Sequence, residues 1–410
     1  MIAPGEQATT VTSYPSALDL LSVDRAPRFA AETAPVRTAF VMEQTLGHVT
    51  HFRNLQDAVA AHERIAPTWL PIPFATDGAA RLLPVFRSNW SVRASLRARR
   101  ALRHALNEQD HDALVFHTQV TTLFSLDEMR RLPTVISLDA TPINYDTVGR
   151  SYGHRAAGDG LMDRQKYRMN KEAFHAAAAL VTWSEWARRS LIDDYAVDPA
   201  HISVLAPGAA AGYFEIGERR RQSFVEDTSE SRKAKVLFVG GDFRRKGGPL
   251  LLDCLHGELA ERCDVHLVTS EQVEERPGVY VHRGVGPNSP ELFRLFADAD
   301  LFVLPSMGEC LAVVLMEATA AALPIITTDV GALSEAVLPG ESGLVVRAGD
   351  GADLRQALTR LVDDADLRGR MGRVGHRLAR KKFDARKNNC ALLDIVVEAA
   401  DRTAVSRRVA

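Results

Sequence analysis

The sequence predicts an α/β protein built from two doubly wound parallel sheets. Short apolar runs alternate with helix-like segments over most of the 410 residues, as they do in successive βαβ units. The alternation occurs twice, on either side of a charged stretch that starts at Ile216. Because a chain of this length exceeds one ordinary hydrophobic core, we expect two Rossmann-like domains.

The first series of strands lies in residues 37–215, which we assign to an N-terminal Rossmann-like domain. Its apolar runs of strand length are at 39–42, 113–116, 134–138, 180–183 and 202–205. Residues 1–36 are rich in Ala, Thr, Pro and Ser, and they are predicted to form an N-terminal extension.

The second series lies in residues 235–385, the predicted C-terminal domain, and it follows a linker. Its strand-like runs are at 236–239, 265–268, 279–281, 301–304, 324–326 and 344–346. Residues 216–234 have the charge density of an exposed linker. Residues 386–410 are predicted to form a helix with one apolar stripe. The stripe consists of Leu392, Leu393, Val396 and Val397.

Composition narrows the classes of partner. The chain has 50 Lys and Arg residues against 52 Asp and Glu residues, so it lacks the positive field that holds nucleic acid. Its four cysteines have no metal-ligand spacing, and no segment resembles a secretory signal or an apolar membrane span. We therefore expect a cytoplasmic protein with reduced thiols and no nucleic-acid partner.

Two glutamates follow the strand-like run 301–304. Glu309 and Glu317 have seven residues between them, and the first stands where the strand would end. Ligands of open α/β sheets bind beyond the carboxyl ends of the strands, where helix N-termini also favour phosphate. Two acids beside a phosphate site suggest recognition of sugar hydroxyls. The alternative is a helix cap and a solvated helix residue.

A basic turn follows the first strand of the second domain. Arg244, Arg245 and Lys246 lie between pairs of glycines in residues 240–248. Cations at a strand's carboxyl end would stabilise the charge that develops on a leaving diphosphate. The alternative is an ordinary solvated loop.

The two motifs and the residues after them resemble the donor site of retaining glycosyltransferase family 4, within the GT-B group known as glycosyl transferases group 1. The resemblance extends through residues 318–346 in the order helix, strand, glycine turn, acid and glycine turn, and it covers roughly residues 39–385. It implies two Rossmann-like domains that face a crevice, with the last helix packed back on the first domain. It also implies a hexosyltransferase-like enzyme that takes a UDP- or GDP-type sugar donor and acts without a metal or other cofactor. The acceptor would be a hydroxyl of a glycan, a lipid-linked sugar or a small molecule.

The resemblance assigns roles to particular residues. Glu317 would hold the ribose, Glu309 the sugar hydroxyls, and Lys246 with Arg245 the diphosphate. Arg244 is the alternative second cation, because Gly241-Asp242 stands where the family commonly has its arginine. Further donor contacts are implied at Gly47, Gly284, Val285, Cys310, Leu311 and Ala312.

Two polar residues of the first domain are predicted to face the crevice. His117 and Asp139 each follow a strand-like run, and many relatives carry a histidine where this chain has Asp139. His117 has the alternative role of a core histidine. Residues 310–312 replace the family's usual Gly-Phe-Gly, so we expect a tighter pocket. Asp364-Ala365-Asp366 mimics a metal motif but lies far from the donor motifs, so no metal is assigned.

Other functions remain open at this point. A nucleotide-sugar epimerase would need no acceptor, a glycan phosphorylase would require inorganic phosphate, and a non-catalytic nucleotide-sugar binding subunit would bind the donor without turnover. The basic segment 87–104 is either a solvated helix face or a peripheral contact with an anionic membrane surface.

Overall fold

Two parallel six-stranded sheets form the framework of the computed structural model, which describes residues 34–45, 47–73, 90–154, 156, 158, 160–223 and 232–409. The first sheet contains β1 (Val36–Gln44), β2 (Ile65–Pro73), β3 (Ala113–His117), β4 (Thr134–Leu138), β5 (Ala179–Thr182) and β6 (Ile202–Val204). The second contains β7 (Ala234–Val239), β8 (Cys263–Val268), β9 (Val279–His282), β10 (Leu301–Leu304), β11 (Ile325–Thr328) and β12 (Gly343–Val346). The predicted α/β class is confirmed.

Helices connect the strands and cover the sheets. Those up to β7 are α1 (His48–Ala60), α2 (Trp90–Glu108), α3 (Leu126–Arg131), α4 (Pro142–Val148), α5 (Leu161–Ala176), α6 (Glu185–Asp193) and α7 (Ala211–Ser223). Those after β7 are α8 (Gly248–Cys254), α9 (Glu258–Arg262), α10 (Pro290–Asp298), α11 (Val313–Ala320), α12 (Gly351–Asp363), α13 (Ala365–Lys382) and α14 (Ala385–Val409). Short 3₁₀ turns include Gly149–Tyr152.

The order of the strands puts a reversal of winding in each sheet. The first sheet has the order β2-β1-β3-β4-β5-β6, so the chain changes direction between β1 and β3. The second has the order β12-β11-β10-β7-β8-β9, and its change lies between β7 and β10. Ligands of open parallel sheets bind at such switch points, beyond the carboxyl ends of the strands.

One strand of the first sheet is absent from the sequence prediction. β2 contains three prolines, and all of them pair with β1, as Pro67 with Thr38, Pro71 with Met42 and Pro73 with Gln44. Proline lacks the N–H group that a central strand donates to its neighbour. A run with three prolines is therefore not predicted as a strand from the sequence. The structure accommodates it because β2 is the edge strand of its sheet.

The C-terminal helix α14 packs on the first sheet rather than on the domain that precedes it. Leu393 and Val396 are fully buried there, in one cluster with Phe40, Leu55 and other residues of β1 and α1. Burial of each such side chain contributes about 2 kcal/mol of transfer free energy. The chain therefore crosses between the domains twice, at Ala209 and near Asp384, which form a bridge.

The first half of the predicted linker is helical. Residues up to Ser223 are helical in α7, where Tyr213 and Ile216 are buried in the core of the second domain. The guanidinium of Arg220 donates to the carbonyl oxygens of Ala321 and Phe296 at 3.2 and 2.9 Å. The arginines that suggested an exposed linker thus include one that docks the helix.

Some predicted segments lie wholly or partly outside the described residues. These are residues 1–33 of the extension, residues 224–231 of the linker and residues 87–89 of the basic segment. The domain boundaries themselves stay predictions.

The basic segment forms most of α2, and it is packed against the protein on one side. Ala94, Ala98 and Leu102 are buried, while the Nε atom of Arg103 contacts the Glu128 carboxylate at 2.6 Å. Contact with a membrane surface stays a prediction. None of the helices in the described ranges has the length and apolar character that a bilayer span requires.

Close helix packing in the second domain depends on Gly217 of α7. A Cβ atom on this residue would lie 2.2 Å from the carbonyl oxygen of Ala320 and 2.3 Å from Nδ1 of His376. The imidazole of His376 is itself fixed, because Nδ1 donates to that same carbonyl at 2.7 Å and Nε2 contacts Glu218 at 3.1 Å. Both neighbours are therefore unable to move aside cheaply.

We expect Gly217→Ala to lower the free energy of unfolding by about 2 kcal/mol, because a methyl group there overpacks a rigid contact. The measurement is urea unfolding at neutral pH. The matched control is Gly351→Ala in α12, whose Cβ would meet Leu250 at an ordinary 3.4 Å. That variant should be neutral or gain up to about 1 kcal/mol from helix propensity. Equal stability of the two variants would contradict the prediction.

Candidate active site

The candidate residues collect at the two switch points. Gly47 and His117 follow or end β1 and β3, and Lys246 and Glu309 follow β7 and β10. The carboxyl ends of both sheets face each other across the crevice between the domains, as contacts between the 3₁₀ turn Gly149–Tyr152 and the loop after β10 demonstrate.

Two glycine turns hold the loop after β10. Gly247 has a φ of +81° and lies so close to Pro305 that a Cβ would be 2.0 Å from its carbonyl oxygen. Gly331 has a φ of +58°, and its Cβ would lie 2.1 Å from the carbonyl oxygen of Glu309. The backbone around Glu309 is therefore fixed from both sides.

The carboxylate of Glu309 binds two cations of the basic turn. Its Oε2 atom accepts from Nη1 of Arg245 at 3.0 Å and from Nζ of Lys246 at 3.1 Å. Glu309 and Arg245 are both buried. Burial opposes ionisation, but the positive charges of Lys246 and Arg245 outweigh it and lower the pKa of Glu309 to about 2.

The Arg245 side chain is held by further partners. Its Nη1 also donates to the carbonyl oxygen of Gly308 at 2.7 Å, and its Nε donates to Asp242 at 2.8 Å. Tyr152 of the first domain stacks its ring 4.1 Å from the guanidinium carbon, and its hydroxyl donates to Oε1 of Glu309 at 3.0 Å. The arginine is thus preorganised by groups from both domains.

The choice between the two arginines is decided by position. Arg245 is buried against Glu309, whereas the neighbouring Arg244 side chain is exposed. Asp242, which stands where relatives have the expected arginine, anchors Arg245 instead. The predicted donor contact at Arg244 is therefore not part of this cluster.

Glu317 lies in α11, and it is only 5% exposed. Burial raises its pKa to about 7, and the nearby Tyr213 and Lys246 offset this only in part. Its charge state thus differs from that of Glu309 at neutral pH, although both glutamates belong to one motif.

The remaining predicted donor residues line the same edge of the second sheet. Cys310, Leu311 and Ala312 are all buried, and Cys310 packs against Ala140 and Val148 of the first domain. Ala312 precedes α11, whose first residue Val313 lies 3.7 Å from where a Cβ on Gly47 would be. The glycine after β1 therefore faces the N-terminus of α11.

Gly284 and Val285 follow β9, the edge strand of the second sheet. Gly284 is exposed with a φ of +73°, and Val285 packs on the domain core. Because β7 and β8 lie between β9 and β10, these two residues are lateral to the Glu309 cluster.

His117 does not face the crevice as predicted. It is fully buried, with Nδ1 3.1 Å from the carbonyl oxygen of Ser137 and Nε2 2.9 Å from Nδ1 of His48. The imidazole that borders the crevice is instead His48, the first residue of α1.

Asp139 follows β4 and lies near His48. Its Oδ2 is 3.8 Å from Nε2 of His48. Burial raises the pKa of Asp139, the neighbouring Glu43 and Glu309 add to this, and His48 opposes it. A buried acid near two other carboxylates thus holds its proton more strongly than an ordinary aspartate.

Polar contacts tie the two domains together around this site. The Glu335 carboxylate accepts from the backbone N–H groups of Glu185 and Trp186 at 2.8 Å each, at the start of α6. The hydroxyl of Ser151 donates to the carbonyl oxygen of Met307 at 2.9 Å. A negative group at a helix N-terminus is favourable because of the free N–H groups and the helix dipole.

Sequence reasoning missed three residues of the site, namely Tyr152, His48 and Trp183. Tyr152 lies in a segment without a motif. His48 follows Gly47, whose family role says nothing of its neighbour. Trp183 ends the strand-like run 180–183, which carries no motif. The sequence did offer a signal for Trp183. As the last residue of that run, it is predicted at the carboxyl edge of the first sheet, where His117 and Asp139 were placed. In the described ranges, no group of three His, Cys, Asp or Glu side chains is arranged to hold a metal ion.

Comparison with known proteins gives the family of the second domain. Residues 233–364 match the family described as Glycosyl transferases group 1. A curated relative, D-inositol 3-phosphate glycosyltransferase of Arthrobacter sp. (strain FB24), is 32% identical over 200 residues, which are 45% of this chain and 47% of that protein. The chain spans 47% to 63% of the length of three such relatives.

Solved structures resemble the chain over more of its length. Sucrose-phosphate synthase from Thermosynechococcus elongatus aligns with a TM-score of 0.67 at 16% identity, covering 88% of this chain and 98% of that one. Anabaena Alr3699/HepE in complex with UDP-glucose aligns with a TM-score of 0.60 at 14% identity, covering 90% and 100%. At these identities the likeness establishes the fold. The resemblance stated from the sequence is confirmed: the chain has the two-domain GT-B fold, and its residues 233–364 match the glycosyl transferases group 1 family.

Proposed function

We propose that the chain is a retaining glycosyltransferase that moves a sugar from a nucleotide-diphosphate sugar to a hydroxyl of an acceptor. The observation that carries this proposal is the buried cluster of Glu309, Arg245 and Lys246 at the switch point of the family-matched domain. The cluster places a carboxylate that can accept hydrogen bonds from sugar hydroxyls next to two cations, so that a single nucleotide-sugar molecule could contact all three groups.

The cations suit a departing diphosphate. As the bond between the anomeric carbon and the diphosphate oxygen breaks, negative charge grows on the phosphate. Lys246 and Arg245 already lie beside a carboxylate, so they can share their charge with a phosphate placed next to it. Preorganised cations in a site with little water are worth more than the same cations in solution. In this proposal they meet the charge of the diphosphate without a metal ion.

The two glutamates take different parts of the donor. Glu309 is ionised and would accept hydrogen bonds from hydroxyls of the sugar, and Glu317 would contact the ribose hydroxyls. The start of α11 lies between them and supplies backbone N–H groups toward the phosphates. This division is the one that the family resemblance implies, and it agrees with their positions before and within the same helix.

In the proposed retaining reaction, the leaving diphosphate serves as the base. Glu309 is engaged by two cations and by the hydroxyl of Tyr152, so it is a poor base or nucleophile. The leaving diphosphate oxygen would instead take the proton of the acceptor hydroxyl. The new bond from that hydroxyl oxygen to the anomeric carbon then forms on the face that the diphosphate leaves.

Relatives suggest the first substrates to test. One solved neighbour is described as a complex with UDP-glucose, and the curated relatives are named for transfer to D-inositol 3-phosphate. We therefore propose a UDP-sugar as donor and a small polyol or its phosphate as acceptor, with glycans and lipid-linked sugars as the other acceptor classes. An epimerase would convert the donor without acceptor, and a phosphorylase would need inorganic phosphate.

We expect UDP to raise the melting temperature of the protein more than GDP or ADP does. A ligand that binds only the folded state stabilises it once its concentration exceeds the dissociation constant, by about 2.7 kcal/mol at a hundredfold excess. Thermal unfolding with each nucleotide at equal concentration is the measurement. A larger shift with GDP would change the donor class, whereas no shift with any of them would refute a donor site here.

We expect Lys246→Ala, Arg245→Ala and Glu309→Ala each to reduce turnover by about a hundredfold or more, as is usual when a group that stabilises transition-state charge is removed. The measurement is release of nucleoside diphosphate from the donor. The matched control is Arg244→Ala, an exposed cation on the same turn, which should lose less than about threefold. Near-native turnover of the three cluster variants would refute the assignment of the site.

Glu317→Gln should make the protein more stable but a weaker binder of nucleotide. Because the folded protein has a pKa of about 7 here against an ordinary 4.5, ionisation of Glu317 costs stability as the pH rises through this range. The neutral variant should gain about 2–3 kcal/mol at pH 8 and little at pH 4. Loss of the ribose contact should weaken UDP binding about tenfold.

Urea unfolding at the two pH values and UDP titration test this prediction. Glu309→Gln is the control of opposite sign, because the pKa of Glu309 is lowered to about 2 and its carboxylate stabilises the fold above pH 4.5. That variant should be less stable than the natural protein at pH 8. A shift of stability in the same direction for both variants would mean that the two glutamates do not differ in charge state.

A further inference from the structure

Three histidines form a cluster at the floor of the crevice on the first domain. The rings of His48, His51 and His117 all pack around Trp183, with centroid distances of 5.2–5.3 Å to its ring. They come from the start of α1 and the end of β3, and Trp183 follows β5. Among the described residues, these histidines do not belong to a group arranged to hold a metal ion. Their hydrogen bonds suggest a different role.

The hydrogen bonds of His117 fix the protons of this cluster. A backbone carbonyl oxygen only accepts, so Nδ1 of His117 donates to that of Ser137 at 3.1 Å, and the Ser137 hydroxyl oxygen at 3.3 Å is a second acceptor for the same proton. Burial, with smaller effects of His51 and His48, lowers the pKa of His117 far below its usual value, so the ring is neutral. Its Nε2 then carries a lone pair and accepts the bond from Nδ1–H of His48 at 2.9 Å.

This arrangement leaves Nε2 of His48 at the crevice. Its nearest charged neighbour is Oδ2 of Asp139 at 3.8 Å, too far for a direct hydrogen bond. A hydroxyl oxygen between them could lie about 2.8 Å from both atoms, because that spacing closes a triangle over 3.8 Å. The side chains of His48 and Asp139 are 13% and 18% exposed, so the gap opens toward the crevice.

We propose that His48 binds the attacking hydroxyl of the acceptor through Nε2, beside Asp139, and that His117 is a positioning residue that sets the tautomer of His48. This inference rests on the proposed function. The gap between His48 and Asp139 has room for one hydroxyl oxygen, so we assign it to the acceptor. In the bound complex the hydroxyl donates to Nε2 of His48. Its O–H then turns to the leaving diphosphate oxygen as that oxygen gains charge, so His48 orients the hydroxyl without taking its proton.

His51 provides the matched control within the same cluster. It lies on α1, contacts the same two rings of His117 and Trp183, and is buried. Neither of its ring nitrogens has a hydrogen-bond partner among the described residues, and burial lowers its pKa to about 3. It is a packing residue, so His51→Leu should keep kcat within about twofold and keep or raise stability.

Two substitutions of His48 distinguish its contact with a hydroxyl through Nε2 from its hydrogen bond to His117 through Nδ1. The amide of His48→Gln reaches the position of Nε2, whereas that of His48→Asn reaches only the position of Nδ1 and its bond to His117. We expect kcat to fall about a hundredfold in His48→Asn, which loses the orienting contact, and only about tenfold in His48→Gln, which keeps it. The shift of melting temperature with UDP should stay as in the natural protein.

The opposite order, with His48→Asn the more active variant, would mean that His48 only supports His117 and would overturn the inference. So would natural kcat in both variants. If the natural protein releases no nucleoside diphosphate from UDP-, GDP- or ADP-sugars with any acceptor, the proposed function fails instead, and this inference with it.

A second measurement is independent of turnover. Nitrogen-15 NMR of the histidine side chains, assigned with His48→Gln and His51→Leu, should give the Nδ1–H tautomer for both His48 and His117. An Nε2–H tautomer at His48 would overturn the inference even in an active enzyme, because that nitrogen could then not accept from a hydroxyl.

Discussion

The site depends on one buried ionic contact, between the carboxylate of Glu309 and the cations of Arg245 and Lys246. An isolated ionised carboxylate costs several kcal/mol in such surroundings, so it persists only because it is paired and hydrogen-bonded. Glycines at 247 and 331 let the neighbouring turns approach closely enough to fix Glu309. The loops after β7 and β10 are therefore shaped by the requirement to keep this charge compensated.

The same contact explains why two glutamates of one motif differ in charge. Glu309 has cations within about 3 Å, and Glu317 is buried beside Tyr213 with Lys246 at longer range. Desolvation acts on both, but only the first has enough opposite charge to overcome it. In the proposed donor site, the ionised acid would accept hydrogen bonds at one end, and the partly protonated acid would tolerate a change of protonation at the other.

Much of the fold was predictable because its signals are local. Buried parallel strands appear in the sequence as short apolar runs, and eleven of them were predicted. β2 was missed because of its prolines, which a strand tolerates at the edge of a sheet. The second-domain cations and acids were predictable because each follows its own strand. Tyr152 and His48 were not predictable, because their positions in the site depend on how the two domains meet. His117 was predicted to face the crevice because strand periodicity does not show which side chains at a strand end are covered by a neighbouring helix.

The contact of Tyr152 with Arg245 and Glu309 has a consequence for communication between the domains. Its hydroxyl and ring come from the first domain, yet they contact the charged groups that a donor would use in the proposed function. A phosphate or sugar that binds there must share or replace these bonds, so donor occupancy and domain contact are thermodynamically linked. If the proposed function holds, anything that reorders the turn Gly149–Tyr152 would by reciprocity alter the affinity for the donor, and a single phenol would couple the order of substrate binding.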